Sequence, residues 1–89
     1  MVFEFDLGKS AVNKRKHGID FNEAQSLWLD HRRIEIEART VGELSKLLIA
    51  RLNDEIWSAV FTILDHTIRL ISVRKARENE KEIYYNKGV

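Results

Sequence analysis

Cysteine and proline are both missing from this 89-residue chain, and it holds only four glycines. Without cysteine, a disulfide framework and a thiolate metal site are both closed to it, and nothing in it calls for an oxidising compartment. The cytosol is the expected setting. Four glycines supply neither a dinucleotide fingerprint nor a P-loop. His17, His31 and His66 lack the i, i+4 spacing and the acidic neighbours of a metal site, so no metal or other cofactor is expected. A cysteine nucleophile is impossible, and no serine sits in a strained elbow. Long apolar runs are lacking too: nothing approaches the roughly 20 residues that span a bilayer, and "MVFEFDLGKS" does not read as a signal peptide. With no repeat, linker or low-complexity segment, residues 1–89 read as a single domain. A domain of this size buries only about 60–65% of its unfolded surface.

The net charge of +1 conceals an uneven distribution. Residues 1–19 carry four cations against two acids, residues 20–65 five against nine, and residues 66–89 six against three. Basic ends around an acidic middle suit a polyanion at the ends and a basic partner at the middle.

"VFEF" alternates as a short strand does, and Asp6 is placed to cap a helix beginning at Leu7. Gly18 ends that helix, since glycine at C′ adopts the left-handed conformation without a Cβ penalty. Lys14, Arg15, Lys16 and His17 then lie at the negative end of the macrodipole. Asp20 and Glu23 form a capping-box pattern for a second helix with Ala24, Leu27 and Trp28 on its apolar face. From Arg33 the period becomes two: "RIEIEAR", "LSKLLIARL", "EIWSAVFTIL" and "TIRLISVR" read as four strands, with turns at Asn53-Asp54 and Asp65-His66. "KARENEKEIYY" returns to helical composition, with Ala76, Glu80, Ile83 and Tyr84 on one face. The expectation is an α+β domain in which two N-terminal helices and a C-terminal helix pack on an antiparallel sheet.

Chemistry rests on cations held by ordered elements. Ideal alternation along "TIRLISVRKAR" puts Arg69 on one face of its strand and Leu70, Ser72 and Arg74 on the other. A structural account of each residue is also available: Arg69 paired with a neighbouring carboxylate, Arg74 in solvent at the sheet rim, and His17 bonded to the last carbonyls of its helix. Glu80 would be a helix-surface acid beside Arg77 or Lys81. Tyr84 would pack while its hydroxyl reaches the rim. Glu35, Glu37 and Glu43 read as a solvated strand face.

The ordered set "FEFD", "NKRKHGIDFNEA", "IRLISVRKARENE" and "IYY" resembles the BrnT family of bacterial toxins over residues 3–84. The resemblance implies a RelE-like fold and an endoribonuclease that cleaves RNA and inhibits translation. It also implies a BrnA-like DNA-binding antitoxin as partner, with operator DNA reached only through that antitoxin. Metal-free RNA cleavage needs the 2′-hydroxyl activated, the phosphorane charge stabilised and the 5′-oxygen protonated. Arginine suits the second role through its planar, permanently charged fork. On the resemblance that role goes to Arg74, helped by Lys16, and His17 is the candidate acid or base, with Glu80 and Tyr84 as alternatives. Lys9, Lys14, Arg15, Arg39, Arg69 and Lys75 are the candidate contacts to the RNA backbone.

Two positions depart from the family pattern. Phe5 stands where many relatives carry tryptophan, and Leu64 stands where the turn region often carries an arginine, which shifts that role to Arg39 or Arg69. A second reading is therefore a weakly active or inactive homologue that binds the antitoxin and tunes repression. A non-enzymatic nucleic-acid-binding domain is a third, disfavoured by the absence of interleaved aromatics and of a recognition helix. In either of the first two, the acidic middle strands offer charge to a basic partner, and an apolar sheet edge or the tail helix offers area.

Overall fold

The turn chemistry is where the chain's course is set. Asn53 has φ 51°, and Asp65 and His66 have φ 48° and 69°. These are left-handed values that short polar residues tolerate and that two-residue hairpins require. The structure, a computed structural model, describes residues 1–40 and 43–87, with nothing said of the side chains at 39, 40 and 43. The elements are β1 (Val2–Glu4), α1 (Leu7–His17), α2 (Phe21–Ala24), β2 (Ile34–Thr40), β3 (Glu43–Leu52), β4 (Glu55–Leu64), β5 (Thr67–Lys75) and α3 (Glu78–Lys87). The second helix is one α-turn that continues as a 3₁₀ helix over Gln25–Leu29.

The five strands form one sheet in the order β1-β5-β4-β3-β2. β2 to β5 are the expected antiparallel meander, but β1 pairs parallel with β5, so the sheet is mixed rather than antiparallel. The helices and the meander return the chain to its own first strand, and β5 lies beside β1 running in the same direction.

One face buries Phe21, Leu27 and Trp28 against Leu48, Phe61 and Val73, with T-shaped contacts from Trp28 to Phe3 (5.1 Å) and Phe61 (5.2 Å). The other face packs Leu47, Ile49 and Ile56 beneath Tyr84 and Ile83 of α3. α3 begins later than the composition suggested. β5 runs through Lys75, and the Ala76 N–H still donates to Ile56 O at 2.9 Å, so helical turns start only at Glu78.

β5 also overturns the expected facing of its arginines. Val60 pairs with Ser72 but Phe61 pairs with Leu70, leaving Ile71 as an extra residue in a β-bulge. Directly paired residues share a face. Thr62 opposite Arg69, Val60 opposite Ser72 and Ser58 opposite Arg74 therefore put Arg69, Ser72 and Arg74 on one face, the one that α3 partly covers.

Candidate active site

α1 delivers its cations to the sheet through polar bonds rather than through an apolar face. Only Ser10 and Asn13 are buried along it. Ser10 Oγ accepts from the Phe21 N–H at 2.9 Å. Asn13 Nδ2 donates to Ile19 O and to Val73 O, both at 2.8 Å, while its Oδ1 accepts from the Val73 N–H at 3.2 Å. β1 ends at Glu4, opposite Arg69, so beyond that point the edge of β5 has no strand partner and the Asn13 carboxamide takes that place. The helix is bounded as its sequence requires. The Lys9 N–H donates to Asp6 Oδ1 at 2.9 Å, and Gly18 sits in the left-handed region at φ 82° with its N–H on Lys14 O. Asp20 and Glu23 close a full capping box.

An open groove of about 550 Å³ lies between α1 and β5, lined by Lys9, Lys16 and His17 from the helix and by Ile71 and Ser72 from the strand. Lys16 and His17 are exposed in the last turn. A second groove of about 710 Å³ adjoins it, lined also by Arg69, Thr62, Ile63, Leu64 and Leu44. Lys9, Lys16, His17 and Arg69 thus border two adjoining grooves that share Lys9 and Ile71. The other candidate cations stand apart. Lys14 is 2.7 Å from Glu23, Lys75 is 3.9 Å from Glu55, and Arg15 is exposed. The Arg39 side chain lies outside the described residues.

Arg74 is not the solvent-facing rim residue that its position suggested. Its Nη1 and Nη2 donate to Glu80 Oε1 and Oε2 at 2.7 and 2.8 Å, and Nη1 also reaches Lys75 O. Glu80, expected on the helix surface beside Arg77 or Lys81, is buried. It accepts from Ser58 Oγ at 2.9 Å and from the Arg77 N–H at 2.8 Å, while Lys81 pairs with Glu78 instead. The Arg77 bond makes Glu80 the N3 acceptor of the helix's first turn, half of a capping box. Bonded by Arg74 first, and by the Arg77 N–H and Ser58 against an opposing cost of burial, its carboxyl is pulled down to about 2. At neutral pH it is a carboxylate with both oxygens engaged. Two donors of the Arg74 fork are not spent in these bonds. Ser72 of the groove lies two residues from Arg74 on the same strand face, about 7 Å along the strand.

Tyr84 is equally committed. Its hydroxyl donates to Asp30 Oδ2 at 2.7 Å, and that oxygen also accepts from the Arg51 N–H at 2.8 Å. Burial, followed by the bond to Asp30, pushes the phenol above its ordinary range. This network ties α3 to the end of the 3₁₀ segment.

The candidate set therefore divides. Lys9, Lys16, His17 and Arg69 border the grooves, the half-buried Arg74 pairs with the buried Glu80 beside them, and Tyr84 is bonded elsewhere. Sequence reasoning assigned no role to Asn13, Ser58, Ser72, Asp30 or Arg51. A buried asparagine in a helix otherwise rich in exposed residues was the one signal available, and it shows only once the helix is docked.

A family model described as "Ribonuclease toxin, BrnT, of type II toxin-antitoxin system" matches residues 5–80. Among curated proteins, none matches the chain. The ordered motifs, the cation-bordered grooves and a family match covering most of the sequence agree, and the chain belongs to the BrnT family of type II toxin-antitoxin ribonuclease toxins.

Proposed function

We propose that this protein is a metal-independent endoribonuclease of RelE-like fold that acts in the cytoplasm, inhibits translation by cutting RNA, and is neutralised by a BrnA-like DNA-binding antitoxin. The observation that carries the catalytic part is the meeting of Lys9, Lys16 and His17 with Ser72 in one open groove. A phosphodiester lying there meets an imidazole and two ammonium groups, against the one carboxylate of Asp6, with Arg69 in the adjoining groove.

In the reaction, a base removes the 2′-hydroxyl proton as that oxygen attacks the adjacent phosphorus. An acid protonates the departing 5′-oxygen, leaving a 2′,3′-cyclic phosphate and a 5′-hydroxyl. His17 is assigned one of these proton transfers, because imidazole both takes and gives a proton near neutral pH. Lys16 stabilises charge on the non-bridging oxygens. Arg74 presents its two unspent donors to the same phosphate, and Glu80 fixes the plane of that fork. This assigns Glu80 and Tyr84 to positioning rather than to proton transfer. A preorganised donor is worth more than a mobile one because it needs no reorganisation as charge develops.

The test is cleavage of a defined RNA by antitoxin-free protein in excess EDTA, with the new ends mapped. Wild-type protein should leave cyclic phosphate ends. His17→Ala should lose about 10²- to 10⁴-fold in rate with an unchanged melting curve, because His17 is exposed. Intact RNA from folded wild-type protein, with and without ribosomes, would favour the antitoxin-binding homologue, a reading that rests on Leu64 in the second groove.

A further inference from the structure

The second groove brings exposed aliphatic side chains together with two cations. Leu44 is 90% exposed, Ile63 51% and Leu64 48%, and all three line it together with Ile71. Two cations, Lys9 and Arg69, border it; among the described residues no carboxylate lines it and neither cation is in an ion pair, while Glu4 and Asp6 line a smaller pocket with Arg69. Exposed aliphatic side chains clustered beside cations are the components of a small protein-binding site with an apolar centre and a charged rim.

We infer that this groove is the docking site for an apolar segment of the antitoxin that carries carboxylates beside its anchoring side chains. The inference rests on the proposed partner and not on RNA cleavage. Aliphatic side chains in the groove match aliphatic anchors, and Lys9 and Arg69 match acidic side chains at their margin. RNA is the poorer occupant, because single-stranded bases are held by stacking on aromatic rings or arginine planes and the groove contains no aromatic residue. A second copy of the chain is also disfavoured. A two-fold contact through this patch would bring Lys9 and Arg69 of each protomer toward their own symmetry mates, with Glu4, across from Arg69 on β1, the nearest paired-strand acid.

The position of the groove has a functional consequence. Lys9 and Ile71 belong to both grooves, so a segment seated among Ile63 and Leu64 that reaches them also occupies part of the lining of the His17 groove. Neutralisation would then follow from occupancy of shared residues, with no change of conformation.

The experiment compares wild-type protein with the uncharged variants Ile63→Ser and Leu64→Ser, titrated with the antitoxin encoded beside it, while binding of a short RNA oligonucleotide is measured on the same preparations. Both residues are about half exposed, so the variants should fold, and melting curves check this. The expected result is antitoxin binding weakened at least about tenfold, RNA binding retained by the free variants, and RNA excluded from the wild-type complex. Unchanged antitoxin affinity in both folded variants would overturn the inference, as would a wild-type complex that still binds RNA. Variants that turn from dimer to monomer in light scattering without losing antitoxin would assign the groove to a second copy instead. Failure of wild-type protein to cut RNA would count against the catalytic reading alone, since antitoxin binding is read separately.

Discussion

The Asn13 carboxamide bonds both the N–H and the C=O of Val73, completing the edge of β5 where β1 stops. The same side chain donates to Ile19 O, so one residue joins helix, connection and sheet. Asn13→Asp should destabilise the protein by about 2–4 kcal/mol, because a buried carboxylate would face two carbonyl oxygens with no donor to offer them. Denaturant unfolding measures the loss, and faster exchange of the Val73 amide proton would place it at β5. A loss below about 0.5 kcal/mol would mean that water or a shift of α1 satisfies the strand edge.

Glu80 sets an acid limit on stability. Its folded carboxyl titrates at about 2, against an ordinary value of 4.5, chiefly because Arg74 bonds the ionised form. A depressed acid contributes stability above its unfolded pKa and loses it as pH falls toward the folded value. The contribution, on the order of 3 kcal/mol, should therefore be complete above about pH 5 and fade between pH 4.5 and 2. Unfolding free energies of wild type and Glu80→Gln should differ most at pH 7 and converge near pH 2. A difference independent of pH would assign the loss to packing rather than to charge.

Gly18 terminates α1 at φ 82°, and a Cβ there would meet nothing within 4 Å. The cost of Gly18→Ala is therefore one of backbone conformation alone, about 1 kcal/mol, seen as a fall in Tm of about 4–8 °C for a domain of this size. Gly18→Asn should cost less, because asparagine tolerates the left-handed region. Equal losses for the two substitutions would argue against that conformation as the cause.

The border of the two grooves predicts which lysines RNA senses. Lys9→Ala and Arg69→Ala should each weaken RNA binding and flatten its dependence on log salt by about 0.7. Lys14→Ala should change the slope little, since its ammonium already faces Glu23 at 2.7 Å. RNA titrations across a salt series would check this, and a Lys14 effect as large as that of Lys9 would move the RNA track to the outer face of α1.

Much of the local structure was legible in the residues themselves. Asp6, Gly18 and the Asp20–Glu23 box mark helix boundaries because capping depends on groups within three or four positions of each other. The hairpin turns at Asn53 and at Asp65-His66 were legible for the same reason. The layout of the candidate site was legible in part: the exposed positions of Lys16 and His17 follow from the helix terminus, whereas the bonding of Arg74 and Glu80 does not.

The sequence by itself determined the α+β class, both ends of α1, the start of α2, the hairpin turns and the family. Each is written in neighbouring residues or in ordered motifs. Tertiary structure alone decided that β1 runs parallel to β5, that the bulge at Ile71 brings Arg69 and Arg74 to one face, that Asn13 closes a strand edge, and that Glu80 is buried under Arg74. Asn13 and Val73 lie sixty residues apart, and strand register over Ile71 depends on how β4 packs. No local pattern carries such information, because it comes into being only when distant segments compete for the same buried hydrogen bonds.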